Sequence, residues 1–282
     1  MDNLKQVWFV TGASKGLGLT LVKKLLSEGY NVAATSRSVE SLTKAVGIDS
    51  SNFLPLQVEL LNEGSVSQAI ETTIKTFGGI DVLVNNAGYG QLGTLEEMTD
   101  AEARENFDIN VFGLLNVTRN IMPHFRAKKA GHVINISSIA GFLGAFPGWG
   151  IYSATKFAVV GLTEALSAEA KEFNVKATIA YPGYFNTNFL KEGSMKLATN
   201  PIADYTAARN TEVWHETQMV GNQPGDPSKA AEVFIELAEM ENAPLHFFMG
   251  SDSFGIANSK IEILQNALVS NETLSKSTDY AK

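Results

Sequence analysis

Val7-Trp8-Phe9-Val10-Thr11-Gly12-Ala13-Ser14-Lys15-Gly16-Leu17-Gly18 decides how the rest of the chain is read. Four apolar residues form a short run that fits a strand buried on both faces, and a glycine-rich turn follows at once. Leu19 to Glu28 then reads as a helix that stops at Gly29. Strand, glycine turn and helix in this order is the context in which such a turn holds a dinucleotide. Glycines let the backbone approach a pyrophosphate closely, and a helix N-terminus presents free N–H groups and a positive dipole end. Tight packing also uses glycine, but the flanking strand and helix favour phosphate binding here.

The next strand, Asn31 to Ser36, bears on the type of dinucleotide. NAD-binding folds place an acid about 20 residues after the turn, where it takes the ribose 2′-hydroxyl. Counting on from Gly16, that position falls on Ser36, which is neutral, with Arg37 beside it and Lys15 in the turn. Two cations and no carboxylate suit a 2′-phosphate, hence NADP(H). NAD(H) is the alternative, with Arg37 then a solvated surface charge.

Further along, strands and helices keep alternating. A strand at Phe53 to Glu59 leads into a helix opened by the capping-box pattern Ser65-Val66-Ser67-Gln68. Ile80 to Val84 is an apolar strand ending in Asn85-Asn86-Ala87-Gly88. Thr99-Asp100-Ala101-Glu102 is a second capping box, opening a long helix through Asn110 towards Phe125. His132 to Ser137 is a strand with Ser138 at its carboxyl end. A helix carries Tyr152 and runs to about Phe173, and Val175 to Tyr181 is the next strand, closed by Pro182-Gly183. This alternation predicts an α/β fold: a doubly wound, Rossmann-type parallel sheet of about seven strands with helices on both faces. Ligands bind beyond the carboxyl ends of such strands, where Gly12, Ser36, Asn86, Ser138 and Pro182 all fall.

Tyr184 to Gly225 breaks the rhythm, with no clear strand and a mixture of Phe189, Met195, Leu197, Tyr205, Trp214 and Met219 among polar residues. Placed just after a sheet's carboxyl edge, it reads as a substrate lid. Asp226-Pro227 reads as the N-cap and first turn of a helix to Met240. Leu245 to Met249 is a last strand, Ile256 to Leu268 an amphipathic helix, and the tail from Ser270 polar and loosely held. Residues 1–282 therefore form one domain, with a lid at 184–225 and an extension at 250–282.

Composition excludes several classes. A net charge of −8 argues against a nucleic-acid surface, and 44% apolar residues support a large core. With no cysteine there is neither a disulfide framework nor a cysteine metal site. His124, His132, His215 and His246 lack metal-ligand spacing. Structural or surface roles are the reading for all four, with contact to substrate from the lid the alternative for His215, and Glu96-Glu97 is most simply a solvated pair. Met1-Asp2-Asn3-Leu4-Lys5 lacks a signal-peptide core, and no apolar run approaches the roughly 20 residues of a membrane helix. The expectation is a soluble, cytoplasmic protein.

Tyr152-Ser153-Ala154-Thr155-Lys156 places a phenol and an ammonium at i and i+4 on one helix face. A phenol has a pKa of about 10, and lowering it by roughly three units requires about 4 kcal/mol. A cation about 4 Å away at an effective dielectric of about 20 supplies that much. Ser138 is positioned to hold the substrate oxygen that the phenol protonates. Taken alone, Tyr-x-x-x-Lys is common; it gains meaning from its surroundings.

Together these motifs resemble the short-chain dehydrogenase/reductase family over Val7 to Met249. Thr11-Gly12-x-x-x-Gly16-x-Gly18, Asn85-Asn86-Ala87-Gly88, Asn110, Ser138 with Gly141, Tyr152-x-x-x-Lys156 and Pro182-Gly183-x-x-x-Thr187 occur in the family's order. The resemblance implies a catalytic set of Asn110 (water relay), Ser138 (carbonyl oxygen), Tyr152 (proton donor) and Lys156 (ribose and phenol). It implies cofactor contacts from Gly12, Ser14, Lys15, Gly16, Leu17, Gly18, Ser36, Arg37, Glu59, Leu60, Asn86, Ala87, Gly88, Tyr152, Lys156, Pro182, Gly183 and Thr187. No metal is implied. Glu59 stands where the family usually has aspartate, and one extra residue between Ser138 and Tyr152 suggests that the Phe142 to Ile151 loop bulges towards substrate. The sequence beyond Met249 is loosely similar to a 17β-hydroxysteroid dehydrogenase-like subgroup. The implied activity is NADPH-dependent reduction of a fairly apolar ketone, or oxidation of a secondary alcohol, in a homodimer or homotetramer. The other readings are an NADH-dependent member and a non-catalytic dinucleotide-binding sensor or scaffold.

Overall fold

The computed structural model describes residues 5–190 and 193–280. The N-terminal reading at Met1 to Leu4, two positions of the 184–225 segment and the last two of the extension lie outside these. Strands β1 (Val7–Val10), β2 (Asn31–Ser36), β3 (Phe53–Gln57), β4 (Val82–Asn85), β6 (Gly131–Ile136), β7 (Val175–Pro182) and β9 (His246–Met249) form a seven-stranded sheet in the order β3-β2-β1-β4-β6-β7-β9. All its pairs are parallel. The strand order reverses direction between β1 and β4, and in open sheets that crevice is where a ligand sits.

Trp8 and Val10 point to one face of the sheet and Phe9 to the other, because successive side chains of a strand alternate. The first face packs on α1 (Gly16–Ser27), α2 (Val39–Val46) and α8 (Pro227–Glu239), through Leu21, Leu25, Leu42 and Phe234. The opposite face packs on α3 (Glu63–Phe77), α5 (Leu114–Lys128) and α6 (Gly150–Ala170), through Ile70, Ile121, Phe125 and Leu166. Being buried on both faces explains why the strands read as unbroken apolar runs.

Several local expectations change. Helix α3 starts at Glu63, not Ser65: Asn62 is its cap and accepts from the Ser65 amide, while Ser65 Oγ accepts from the Glu59 amide instead. Thr99 and Glu102 do form a capping box, at the start of α4 (Asp100–Phe107). The long helix expected there divides into α4, a π-helical turn at Asp108–Gly113 and α5. The Tyr184 to Gly225 segment contains a strand after all. β8 (Met195–Leu197) pairs in parallel with β5 (Gly90–Leu92), and α7 (Thr206–Trp214) follows. Three-residue strands carry too little periodicity to be read from sequence. The tail from Ser270 is helical as far as Lys276, where α9 (Ser251–Lys276) ends with a Glu272–Lys276 pair at i,i+4, and its described residues stay exposed. Among the described residues no helix is long and apolar enough to cross a membrane.

Candidate active site

The glycine turn owes its shape to two positions. Gly12 has φ +64°, and a Cβ there would lie 2.7 Å from Ala87 Cα. At Gly18 a Cβ would meet Asn86 Nδ2 at 2.4 Å, the nitrogen that donates to the carbonyls of Thr11 and Gly12. Gly18 thus serves the packing of the turn on the end of β4 and does not line the cleft. Among the described residues no side chain caps α1, and its first turn holds no acid, so its N-terminus faces the cleft with its dipole uncompensated.

The cleft has a volume of about 580 Å³ and runs along the carboxyl edge of the sheet. Gly12, Ser14, Lys15, Gly16, Leu17, Ser36, Arg37, Glu59, Leu60, Asn86, Ala87, Gly88, Pro182, Gly183 and Thr187 line it, together with Ser138, Tyr152 and Lys156. Lys15 reaches the 184–225 segment, donating to the Gly193 carbonyl at 2.5 Å. Burial, and then the nearby Arg37 cation, hold its ammonium below the ordinary lysine value. Placing a dianion between the two cations turns their mutual repulsion into attraction.

Tyr152 and Lys156 are buried on α6, whose approach to β6 is fixed by the Ser137 hydroxyl donating to the Lys156 carbonyl at 2.9 Å. The lysine Nζ lies 5.6 Å from the Tyr152 ring centroid and donates to the Ile136 carbonyl at 2.9 Å. Burial lowers its pKa to about 8. The expected lowering of the phenol does not occur in this state. Burial drives the Tyr152 pKa well above its ordinary value, the Ser138 hydroxyl pulls only partly against it, and the Tyr184 phenol adds to the rise. Ser138 is itself fixed by accepting from the Ala140 amide at 3.1 Å.

Asn110 does not line the cleft. It sits in the π-helical turn, where its carbonyl oxygen accepts from the Tyr89 amide at 3.0 Å and its Nδ2 donates to the Tyr89 carbonyl and to Thr155 Oγ1. The bulge turns this side chain inward and ties the end of β4 to α6.

At the other end of the cleft a third apolar cluster joins Tyr152 to Trp149, Phe146, Tyr184, Phe189, Leu190 and Met195. The sequence reading missed Trp149, Tyr89 and Phe146. Trp149 was findable: three positions before Tyr152, it shares a helical face with it, and their rings meet edge-to-face at 5.3 Å. The 142–151 loop does reach the cleft, through Phe146 and Trp149. Trp214 does not line it; 43% exposed, it packs against Tyr184 and His215 from outside. Glu97 is no solvated acid. Its fully buried carboxylate accepts from the amides of Thr94 and Ile202 and from Arg209 at 2.7, 2.6 and 2.9 Å, fastening the 184–225 segment to the turn after β5.

A short chain dehydrogenase family model matches residues 6–197. A 3-ketodihydrosphingosine reductase of Bacteroides thetaiotaomicron is 34% identical over 247 residues, 87% of this chain and 88% of that protein. The crystal structure of a short-chain dehydrogenase from Streptomyces avermitilis superposes with a TM-score of 0.88 at 33% identity, covering 97% of this chain and all of that one. A Burkholderia cenocepacia short chain dehydrogenase in complex with NADP gives a TM-score of 0.73 at 25% identity, over 95% and 98% of the two chains. Fold, motif order and these relatives agree that the chain belongs to the short-chain dehydrogenase/reductase family of oxidoreductases.

Proposed function

We propose that the protein is an NADPH-dependent carbonyl reductase acting on a fairly apolar ketone, or the corresponding alcohol dehydrogenase in reverse. The observation that carries this reading is the meeting of Ser138, Tyr152 and Lys156 at one point of a cleft that begins at the glycine turn. The fit to a dinucleotide phosphate rests on the bare α1 N-terminus and on the open backbone at Gly16, where an added Cβ would meet only Thr187 Cβ, at 3.9 Å. The Lys15–Arg37 pair supports a 2′-phosphate, as does NADP in the Burkholderia relative. Gly16, Leu17, Asn86 and Thr187 would hold the rest of the cofactor, which, when bound, supplies the hydride.

A ketone oxygen is held by the Ser138 and Tyr152 hydroxyls, and Tyr152 gives up its proton to that oxygen as the carbonyl carbon is reduced. Its raised pKa keeps the phenol protonated at neutral pH, the form a general acid needs. Lys156, largely cationic below its pKa of about 8, opposes the negative charge left on the phenolate. Asn110 positions Tyr89 and Thr155 around this centre. Phe146, Trp149 and Phe189 give the ketone an apolar wall, at about 0.8 kcal/mol for each methylene buried. The relative named as a keto-reductase supports the reductive direction.

The test is a panel of aliphatic and aryl ketones and their alcohols, assayed with NADPH and NADH by absorbance of the reduced nicotinamide. Turnover of aryl ketones with NADPH well above NADH is expected. Cofactor binding without turnover of any ketone or alcohol would support the sensor reading instead.

A further inference from the structure

Tyr184 is the first residue beyond Pro182-Gly183, and its backbone is held from both sides. Its amide donates to Asp252 Oδ2 at 2.7 Å, and its carbonyl accepts from the Gly225 amide at 2.9 Å. The side chain lines the same cleft as Tyr152 and Ser138. The two phenols are near enough that Tyr184 disfavours charge on Tyr152.

The Tyr184 hydroxyl is 2.9 Å from His215 Nε2. On the far side of that ring, Nδ1 is 2.8 Å from the Thr211 carbonyl oxygen, which can only accept. Nδ1 therefore carries the imidazole proton, Nε2 presents its lone pair, and the Tyr184 O–H must donate to it. The imidazole has little freedom to do otherwise. It is buried and lies edge-on to Trp149 at 5.3 Å and to Trp214 at 5.0 Å. Burial lowers its pKa, which keeps the ring neutral.

With its proton committed to His215, the Tyr184 oxygen has only lone pairs to offer a ligand. The neighbouring side chains Phe146, Trp149 and Phe189 bring no acceptor of their own. Ser138 and Tyr152 act as donors towards the carbonyl oxygen. A second polar group on the substrate that reaches Tyr184 is therefore met by an acceptor, in the same cleft that the Ser138 and Tyr152 hydroxyls line.

We infer that Tyr184, oriented by His215, is a specificity-determining residue that selects ketones bearing a hydroxyl on the carbon next to the carbonyl. This deepens the reductase reading above and rests on it. An alkyl group in place of that hydroxyl leaves the Tyr184 oxygen without a partner, and an acceptor such as a methoxy group meets lone pair with lone pair.

The experiment compares 2-hydroxyacetophenone, propiophenone (methyl in place of hydroxyl) and 2-methoxyacetophenone. A hydroxyl also activates the carbonyl electronically, so the quantity read is the change, between variants, in the ratio of kcat/KM values. In Tyr184→Phe the hydroxy-to-methyl ratio of kcat/KM values falls about tenfold or more, whatever the change common to both ketones. In His215→Phe the Tyr184 proton is released, and the methoxy ketone gains on the hydroxy ketone. A ratio unchanged in Tyr184→Phe overturns the assignment, as does a methoxy ketone that gains nothing in His215→Phe.

Calorimetric titration of the two ketones into Tyr152→Phe protein with NADP+ present, with and without Tyr184→Phe, needs no turnover. Tighter binding of the hydroxy ketone that disappears with Tyr184→Phe supports the assignment. Equal binding of both ketones in both proteins overturns it. Absence of turnover of every ketone by the parent protein defeats the reductase reading, and is told apart by this binding difference.

Discussion

At the dinucleotide end of the cleft, most lining residues come from short stretches at or just beyond the ends of consecutive strands: 12–17 after β1, 35–38 at the end of β2, 58–60 after β3 and 86–89 after β4. At the other end, where Ser138 and Tyr152 meet the aromatic cluster, they come from segments far apart in the chain. Phe146 and Trp149 precede α6, Tyr184 to Phe189 follow β7, and Lys196 belongs to a strand whose partner lies about a hundred residues earlier. Backbone geometry does the work at the first end, where positive φ, a bare helix N-terminus and close approach are set by glycines within a few positions. Side chains do it at the second, through aromatic contacts and carboxylates that join remote loops. One consequence is that a substitution at the first end should be felt as a change in cofactor affinity, and one at the second as a change in ketone specificity.

The largest effect expected falls on the residue where the two ends meet. Tyr152→Phe removes the proton donor and keeps the ring against Trp149, so ketone reduction should fall by roughly 10²–10⁴-fold. NADPH affinity, measured by fluorescence titration, should stay near that of the parent. Near-normal turnover would remove Tyr152 from the chemistry, and a matching loss of NADPH binding would show that the ends do not act separately.

A smaller effect is expected at the edge of the dinucleotide end. Arg37→Ala should raise the KM for NADPH about tenfold to a hundredfold, the range for a charge-assisted contact of about 1.5–3 kcal/mol, and leave KM for NADH and for ketone almost unchanged. If NADH suffers equally, Arg37 is structural. If ketone KM rises as well, the contrast between the two ends fails.

The same contrast accounts for what could be read in the sequence. Val7 to Gly18, Asn85 to Gly88 and Tyr152 to Lys156 were legible because strand, glycine turn and i,i+4 spacing are local, and the alternation of elements gave the sheet. Gly18 and Asn110 were placed in the right motifs, but whether they face the cleft depends on Asn86 and Tyr89, which only the folded chain brings to them. Strand β8 was too short to show a period. Glu97 looked like one of two exposed acids because its partners, Ile202 and Arg209, lie more than a hundred residues on. Composition puts Trp214 and Phe189 alike in the 184–225 segment, and only the folded chain shows that Phe189 lines the cleft while Trp214 does not. A phenol pKa argued from one cation leaves out burial, the largest cause of its rise here.

Glu97 gives the smallest effect and the sharpest test of the comparison. Burial alone would raise its pKa. The Ile202 and Thr94 amides, the Thr94 hydroxyl and the Arg209 cation outweigh that, and the net shift is downwards. A carboxyl depressed in the folded state contributes stability that is fully present above its unfolded pKa, near 4.5, and is lost as pH falls through the folded value. Between pH 7 and 5 the tie between Glu97 and the 184–225 segment should therefore hold, and it should loosen only in stronger acid. Glu97→Gln keeps the shape but removes the charge that faces Arg209 and the acceptor oxygen that one of the two amides requires. The Ile202 amide, 2.6 Å from Glu97 Oε1, is the local reporter. Its hydrogen exchange, taken as a ratio of variant to parent to cancel the intrinsic pH dependence, should be about tenfold faster at pH 7. That ratio should shrink towards one as the parent is acidified below about pH 4.5. Ketone KM should rise several-fold in the variant while NADPH affinity is untouched. Equal exchange in parent and variant at neutral pH would mean that the aromatic cluster alone holds this segment, and that its carboxylate ties are incidental.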